Sequence, residues 1–294
     1  MSASSGQLEA ATGRAVTRKV KPRSSREIEP STGADDMLIC TKQQDQKKVL
    51  TYTSYLRLNE LLDVQLPQSD PPHSDELHFI ITHQAIELWL KLLLSQVRDT
   101  RDALDRREWN RTNLLVKRMI AVTEAILGQM RTLQRMAPAA FCKFRSALGS
   151  ASGAQSRQSR HLEVLCGIRG ERHIATMRAF DRGQLGVDIG SILGETSLRE
   201  AFLGAVQAAG YIRVADVYLR DSEDNPVYLV AELLVDFDEA WSRWRNEHQL
   251  LAERMIGQSR GTGGTVSKFL EHNRHYRFFP ELWDCRQQIV HRTG

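Results

Sequence analysis

The chain has 294 residues, of which 41% are hydrophobic and 26% charged; that suits a soluble globular protein of one large domain or two small ones. No apolar run approaches the ~20 residues that span a bilayer, which excludes a membrane partner. The formal net charge of +4 is concentrated in residues 1–48, with nine Lys/Arg against six Asp/Glu, while the remainder carries 31 against 30; with no basic patch in the body, a nucleic-acid partner is excluded too.

Residues 1–48 are rich in Ser, Thr, Gly, Lys and Arg and contain no Phe, Trp or Tyr. That composition predicts a mostly disordered basic arm, followed by one helical domain over 49–294. The arm has no apolar signal core, and the four scattered cysteines form no CxxC pair. Both features predict a cytoplasmic protein with reduced thiols.

From Tyr52 the pattern is helical. "YLRLNELLDVQ" spaces Leu56, Leu58, Leu61 and Leu62 for a helix. "LPQSDPPHSDEL" reads as a loop ending in a cap at Ser74 or Asp75, because short polar side chains and first-turn acids favour helix starts. A long helix is predicted from Glu76 to about Arg106, and a second from about Asn110 to Arg135. Shorter helices fit 138–148, 156–167, 171–182 and 195–207. The glycine-rich "GQLGVDIGSIL" (183–193) reads as a loop. "GYIRVADVYL" (210–219) is the one alternating run and fits a strand or a helix. A very long helix is predicted from about Asn225 to Ile256, then "GQSRGTGGT" and a final amphipathic stretch through "FFPELWDCR". The fold class is all-α, a helical bundle built around something buried.

Four constellations carry possible chemistry. In "HFIITHQAIELWLK", Phe79, His83 and Glu87 recur at four-residue spacing on one helix face. Burying such polar groups unpartnered costs about 2–7 kcal/mol for a neutral one, so His83 needs a partner, in a packed core or in a cavity. Gln84 stands where HExxH would require Glu, which disfavours a zinc site. In "FDEAWSRWRNEHQLLAERMIG", His248 shares a face with Trp241, Trp244, Leu251, Ala252 and Met255. It fits a packed core histidine or an axial haem ligand, and spacing does not separate the two. "RGTGGT" (260–265) is a glycine-rich helix start without the lysine of a nucleotide loop. Arg145 shares a face with Phe141 before a Gly/Ser loop, as a carboxylate clamp or a surface residue would. The pair His272 and His275 has no further ligand nearby in sequence.

In this order, "TYTSYLRLNELL", "DELHFIITHQAIELWLKLLL", "FRSALGSASGAQS", "RNEHQLLAERMIGQSRGTGGT" and "FFPELWDCR" resemble the tryptophan 2,3-dioxygenase family of histidine-ligated haem oxygenases. The resemblance covers roughly residues 49–290. It implies haem b with ferrous iron buried between long helices, molecular oxygen as co-substrate, a tryptophan-like amino acid as substrate and a homotetramer. It implies His248 as the iron ligand, with Ser152, Gly153 and Trp244 against the haem. It implies His83 beside the indole N–H, Phe79 and Phe141 packing on the substrate, Arg145 on its carboxylate and Thr262 on its ammonium group. Tyr52 would reach a neighbouring subunit's pocket.

Two motifs depart from the family pattern. Where the family reads SGFQSxxYRxxE and GTGGSSG, this chain has Ala154 for Phe, Ser159 for Tyr, and Val266-Ser267 in the second motif. A reshaped pocket with a retained amino-acid anchor suggests a substituted substrate such as β-methyltryptophan. It also suggests an outcome in which one oxygen atom enters and the product rearranges to a 2-oxindole. The alternatives are ordinary dioxygenation to N-formylkynurenine, and a haem- or indole-binding protein without turnover.

Overall fold

Apolar residues at helical spacing bring three long helices together. The computed structural model describes residues 50–181, 189–220, 224–257, 259 and 276–293; every regular element among them is helical, and Tyr52–Gly294 forms one compact unit. The predicted arm at 1–48, Thr262, His272, His275 and the 260–265 motif lie outside the described residues.

Helix α1 (Tyr52–Leu56) and α2 (Leu58–Leu61) are separated by Arg57, whose φ of 52° breaks the single helix expected there. Helix α3 runs Ser74–Asp105 and α4 Trp109–Leu133. The cap of α3 is His73, not Ser74 or Asp75: its Nδ1 accepts from Asp75 N at 3.2 Å. The preceding loop hangs on buried Glu76, whose carboxylate accepts from Gln68 N, Ser69 N and Ser69 Oγ. The expected helix over 138–148 divides into α5 (Pro138–Phe144) and a tighter 3-10 turn, Arg145–Leu148.

After a second 3-10 turn (Gly153–Gln155), α6 (Arg157–Cys166) starts at Ser156, whose hydroxyl accepts from Ser159 N. It stops at Gly167, where φ is 129° and a β-carbon would meet Arg199 Cβ at 2.8 Å; only glycine fits both demands. Then come α7 (Glu171–Asp181), α8 (Ile189–Leu193) inside the expected loop, α9 (Leu198–Ala208) and α10 (Val214–Arg220). The last settles the alternating run as helix. Helix α11 (Pro226–Ile256) begins with Asn225 accepting from Val227 N and Pro226 in the first turn, a favourable helix start. Helix α12 spans Pro280–Thr293.

Helix α4 packs against both α3 and α11, and α6 packs against α3 and α9. Fully buried Leu93, Val97, Val116, Met119, Ile126, Val230, Leu234 and Phe237 join them. Contrary to the sequence expectation, α3 is long and apolar enough to cross a bilayer. In this fold its inner face packs on α4, α6 and α9 and turns His83 and Glu87 to a cavity. The three cysteines among the described residues, Cys142, Cys166 and Cys285, are free.

Candidate active site

A cavity of about 1140 Å³, its mouth included, lies among α3, the end of α4, α5, the Gly/Ser loop, α6 and α11. That volume includes space open to solvent at the mouth, and the walls are mostly apolar with a few convergent polar groups, as ligand pockets are. Its walls contain Phe79, His83, Phe141, Arg145, Ser152, Gly153, Trp244 and His248, all expected from sequence. Tyr52 is not among them; it stands 75% exposed on α1. Ser159 on α6, expected from sequence to reshape the pocket, is in the wall; sequence reading missed Met130 and Leu133 at the end of α4 and Ser156 at the cap of α6. The methionine and leucine carry no signal that separates cavity from core. Ser156 carried one, since a serine just before a helix is a cap signal that places its hydroxyl at the helix start.

His83 Nδ1 lies 2.7 Å from the carbonyl oxygen of Phe79. A carbonyl only accepts, so Nδ1 carries the proton and Nε2 is left as an acceptor. Burial lowers the His83 pKa, against the opposing pull of the Phe79 carbonyl and Glu87. Glu87 is held elsewhere: Gln158 Nε2 donates to its carboxylate at 2.8 Å and to its backbone carbonyl at 2.7 Å. Phe79 lies 4.0 Å from the His83 ring, centroid to centroid, and 5.9 Å from Phe141. These rings make an apolar slot beside the acceptor nitrogen.

Across the cavity, His248 stacks on Trp244 at 5.6 Å and 5° between planes, and Trp244 stacks on fully buried Trp241 at 4.5 Å. Burial, and then the neighbouring His83, push the His248 pKa down to about 4. The residue is half-buried and lines the cavity. Neutral imidazole is the form that ligates a metal.

The donor set fits haem better than a bare ion. No group of three or more His, Cys, Asp or Glu among the described residues could hold a metal, whereas a bare zinc ion takes three or four protein ligands. A porphyrin brings four of its own and needs one neutral imidazole. A β-carbon at Gly153 would stand 3.7 Å from His248 Nε2, so bare backbone keeps clear the side toward which that nitrogen points. Trp244 Nε1 is buried with no hydrogen-bond partner among the described residues, as a donor to a ligand of the cavity would be. Arg145, half-buried, opens the 3-10 turn after α5 and sets its guanidinium group in the same wall.

The tryptophan 2,3-dioxygenase family model matches residues 39–210 and 194–289. The chain belongs to the tryptophan 2,3-dioxygenase family. It is 33% identical over 264 residues to the tryptophan 2,3-dioxygenase of Herpetosiphon aurantiacus, covering 82% of this chain and 99% of that one. The Nocardioides enzyme of the same name is 35% identical over 83% of this chain and 97% of its own; that of Anaeromyxobacter is 34% identical over 81% and 95%. Membership in this family makes the chain an oxygenase, and the expected resemblance, all-α class and enzymatic nature hold.

Proposed function

We propose that this chain is a haem-dependent oxygenase of the indole C2–C3 bond of L-tryptophan or a substituted tryptophan. The observation that carries the proposal is one cavity uniting a neutral histidine on a tryptophan stack, a second histidine whose acceptor nitrogen has no hydrogen-bond partner among the described residues, and an arginine. Bound haem would supply the ferrous iron at which oxygen is activated. His248 would hold it, with Trp244, Ser152 and Gly153 against it.

The remaining residues position the substrate. His83 Nε2 accepts from the indole N–H, which orients C2 and C3; an indole N–H is too weak an acid for His83 to serve as an efficient general base. Phe79 and Phe141 pack on the ring. Arg145 pairs with the carboxylate through charge-assisted bonds, and Thr262 binds the ammonium group. Tyr52 comes from a neighbouring subunit of a homotetramer, a reading supported by its exposure together with that of Tyr55 and Leu62.

Insertion of both oxygen atoms, giving N-formylkynurenine, is the outcome that the names of the relatives support. Ser159 in the cavity wall, where the family pattern has Tyr, favours a second reading: a bulkier β-substituted tryptophan and a single inserted atom, giving a 2-oxindole. The second oxygen atom then leaves as water and requires two electrons and two protons from an external reductant. Turnover of tryptophan and β-methyltryptophan under labelled oxygen, with and without reductant, decides. Two labelled atoms without reductant establish dioxygenation. One labelled atom only with reductant establishes the second reading, and no labelled product from either substrate overturns the proposal.

A further inference from the structure

Behind the Trp241–Trp244–His248 stack lies a buried ionic cluster that the chemistry above does not use. Glu163, on α6, and Arg245, on α11, are both buried. Arg245 Nε donates to Glu163 Oε1 at 2.9 Å. Its Nη2 stands 2.9 Å from the same oxygen as an ion-pair contact not aligned for a hydrogen bond. Arg245 Nη1 donates to the carbonyl of Tyr276 at 2.8 Å. Trp241 Nε1 donates to Glu163 Oε1 at 3.4 Å, and neutral His173 stands 3.5 Å from Oε2.

The placement of this pair is unusual for a mere core staple. Glu163 follows the cavity residue Ser159 by four positions on α6, and Arg245 precedes His248 by three on α11, so each charge lies one turn from a cavity wall. Tyr276 is the chain returning toward α12. Three segments therefore meet on one ion pair, and two of them carry lining residues of the cavity. A buried ion pair is weak evidence for stability, since well-packed apolar residues often replace it at no loss. Its directed hydrogen bonds do fix distance and rotation between the helices that bear it.

The geometry points to Glu163 and Arg245 as positioning residues that set the spacing between the α6 wall and His248, and so the seat of the haem. This rests on the proposal that His248 binds haem. Groups hydrogen-bonded directly to a metal ligand contribute about tenfold to a hundredfold in metal affinity, which sets the scale for a pair that acts on His248 through the helix that bears it.

The test uses the haem-loaded full chain and three variants: Glu163→Gln, Arg245→Lys, and the apolar double variant Glu163→Leu with Arg245→Met. Haem transfer to excess apomyoglobin, the iron–histidine stretching band of the ferrous protein and the thermal midpoint are recorded for each. The double variant removes both charges and is expected to stay folded. We expect it, and the isosteric Glu163→Gln, to release haem about tenfold or more faster with a shifted or broadened iron–histidine band. A folded variant of either kind that keeps haem at the parent rate with an unchanged band overturns the inference. A parent chain that takes up no haem overturns the functional reading on which it rests, which is a different result.

Discussion

Two histidines of this chain are neutral for different reasons, and each reason can be tested. The Phe79 carbonyl fixes the proton of His83 on Nδ1, while enclosure keeps His248 unprotonated down to about pH 4. Replacing His248 with Ala should abolish haem retention and leave a helical far-UV spectrum; an unchanged Soret band in that variant would remove His248 from the ligand position. Folding lowers the pKa values of His83, His173 and His248 from an unfolded value of about 6.5. The unfolded chain therefore binds more protons below that pH. Stability is full above about pH 6.5 and falls as the pH drops toward 4. Thermal midpoints of the haem-free chain should show this slope, and His248→Leu should flatten part of it; a flat parent curve would contradict the burial argument. Arg145→Ala should weaken an amino-acid substrate about tenfold to a hundredfold, the scale of a charged hydrogen bond. An indole lacking the carboxylate should lose far less, and equal losses would make Arg145 structural.

At the scale of elements, helix boundaries followed local chemistry, and the expected spans erred where a neighbour intervened. Helix α9 carries a full capping box: Ser197 accepts from Glu200 N, and the Glu200 carboxylate accepts from Ser197 N. Ser197→Ala should cost about 1 kcal/mol and lower the melting midpoint by about 2–4 °C in a domain of this size; a midpoint unchanged within one degree would show that the cap is redundant. Helix α5 ends before Arg145 although the sequence continues helically. The tighter turn that follows brings Arg145 into the cavity wall. The periodicity of α3 and α11 was plain in their apolar spacing, and both helices form within one or two residues of the predicted bounds.

At the scale of the whole molecule, the described residues leave apolar surface that their own core does not cover. Tyr52, Tyr55 and Leu62 are more than two-thirds exposed, and Ile81 and Leu88 on the outer face of α3 are about half exposed. The segment joining α2 to α3 runs beside that face, where Gln65 Nε2 donates to Gln84 Oε1 and Gln84 Nε2 to the Val64 carbonyl. Apolar patches of this kind mark protein–protein contacts. If the proposed homotetramer forms through this face, Ile81→Glu with Leu88→Glu should lower the molar mass in solution, measured by light scattering, below that of the parent. A monomeric parent would overturn the proposed tetramer.

Sequence by itself determined the all-α class, the long helices and the faces that bear His83 and His248, because helical periodicity is a local property of the chain. It also supplied the motifs that carry the family. It did not determine whether those faces meet a packed core or a cavity, since that depends on what distant segments bring opposite them. Only the tertiary structure set Gly153 beside His248, gave Glu87 to Gln158 and left the His83 acceptor nitrogen without a partner among the described residues. Only it joined Glu163 to Arg245, 82 residues apart: a buried charge must find its partner in space, and no local pattern names a partner that far along the chain.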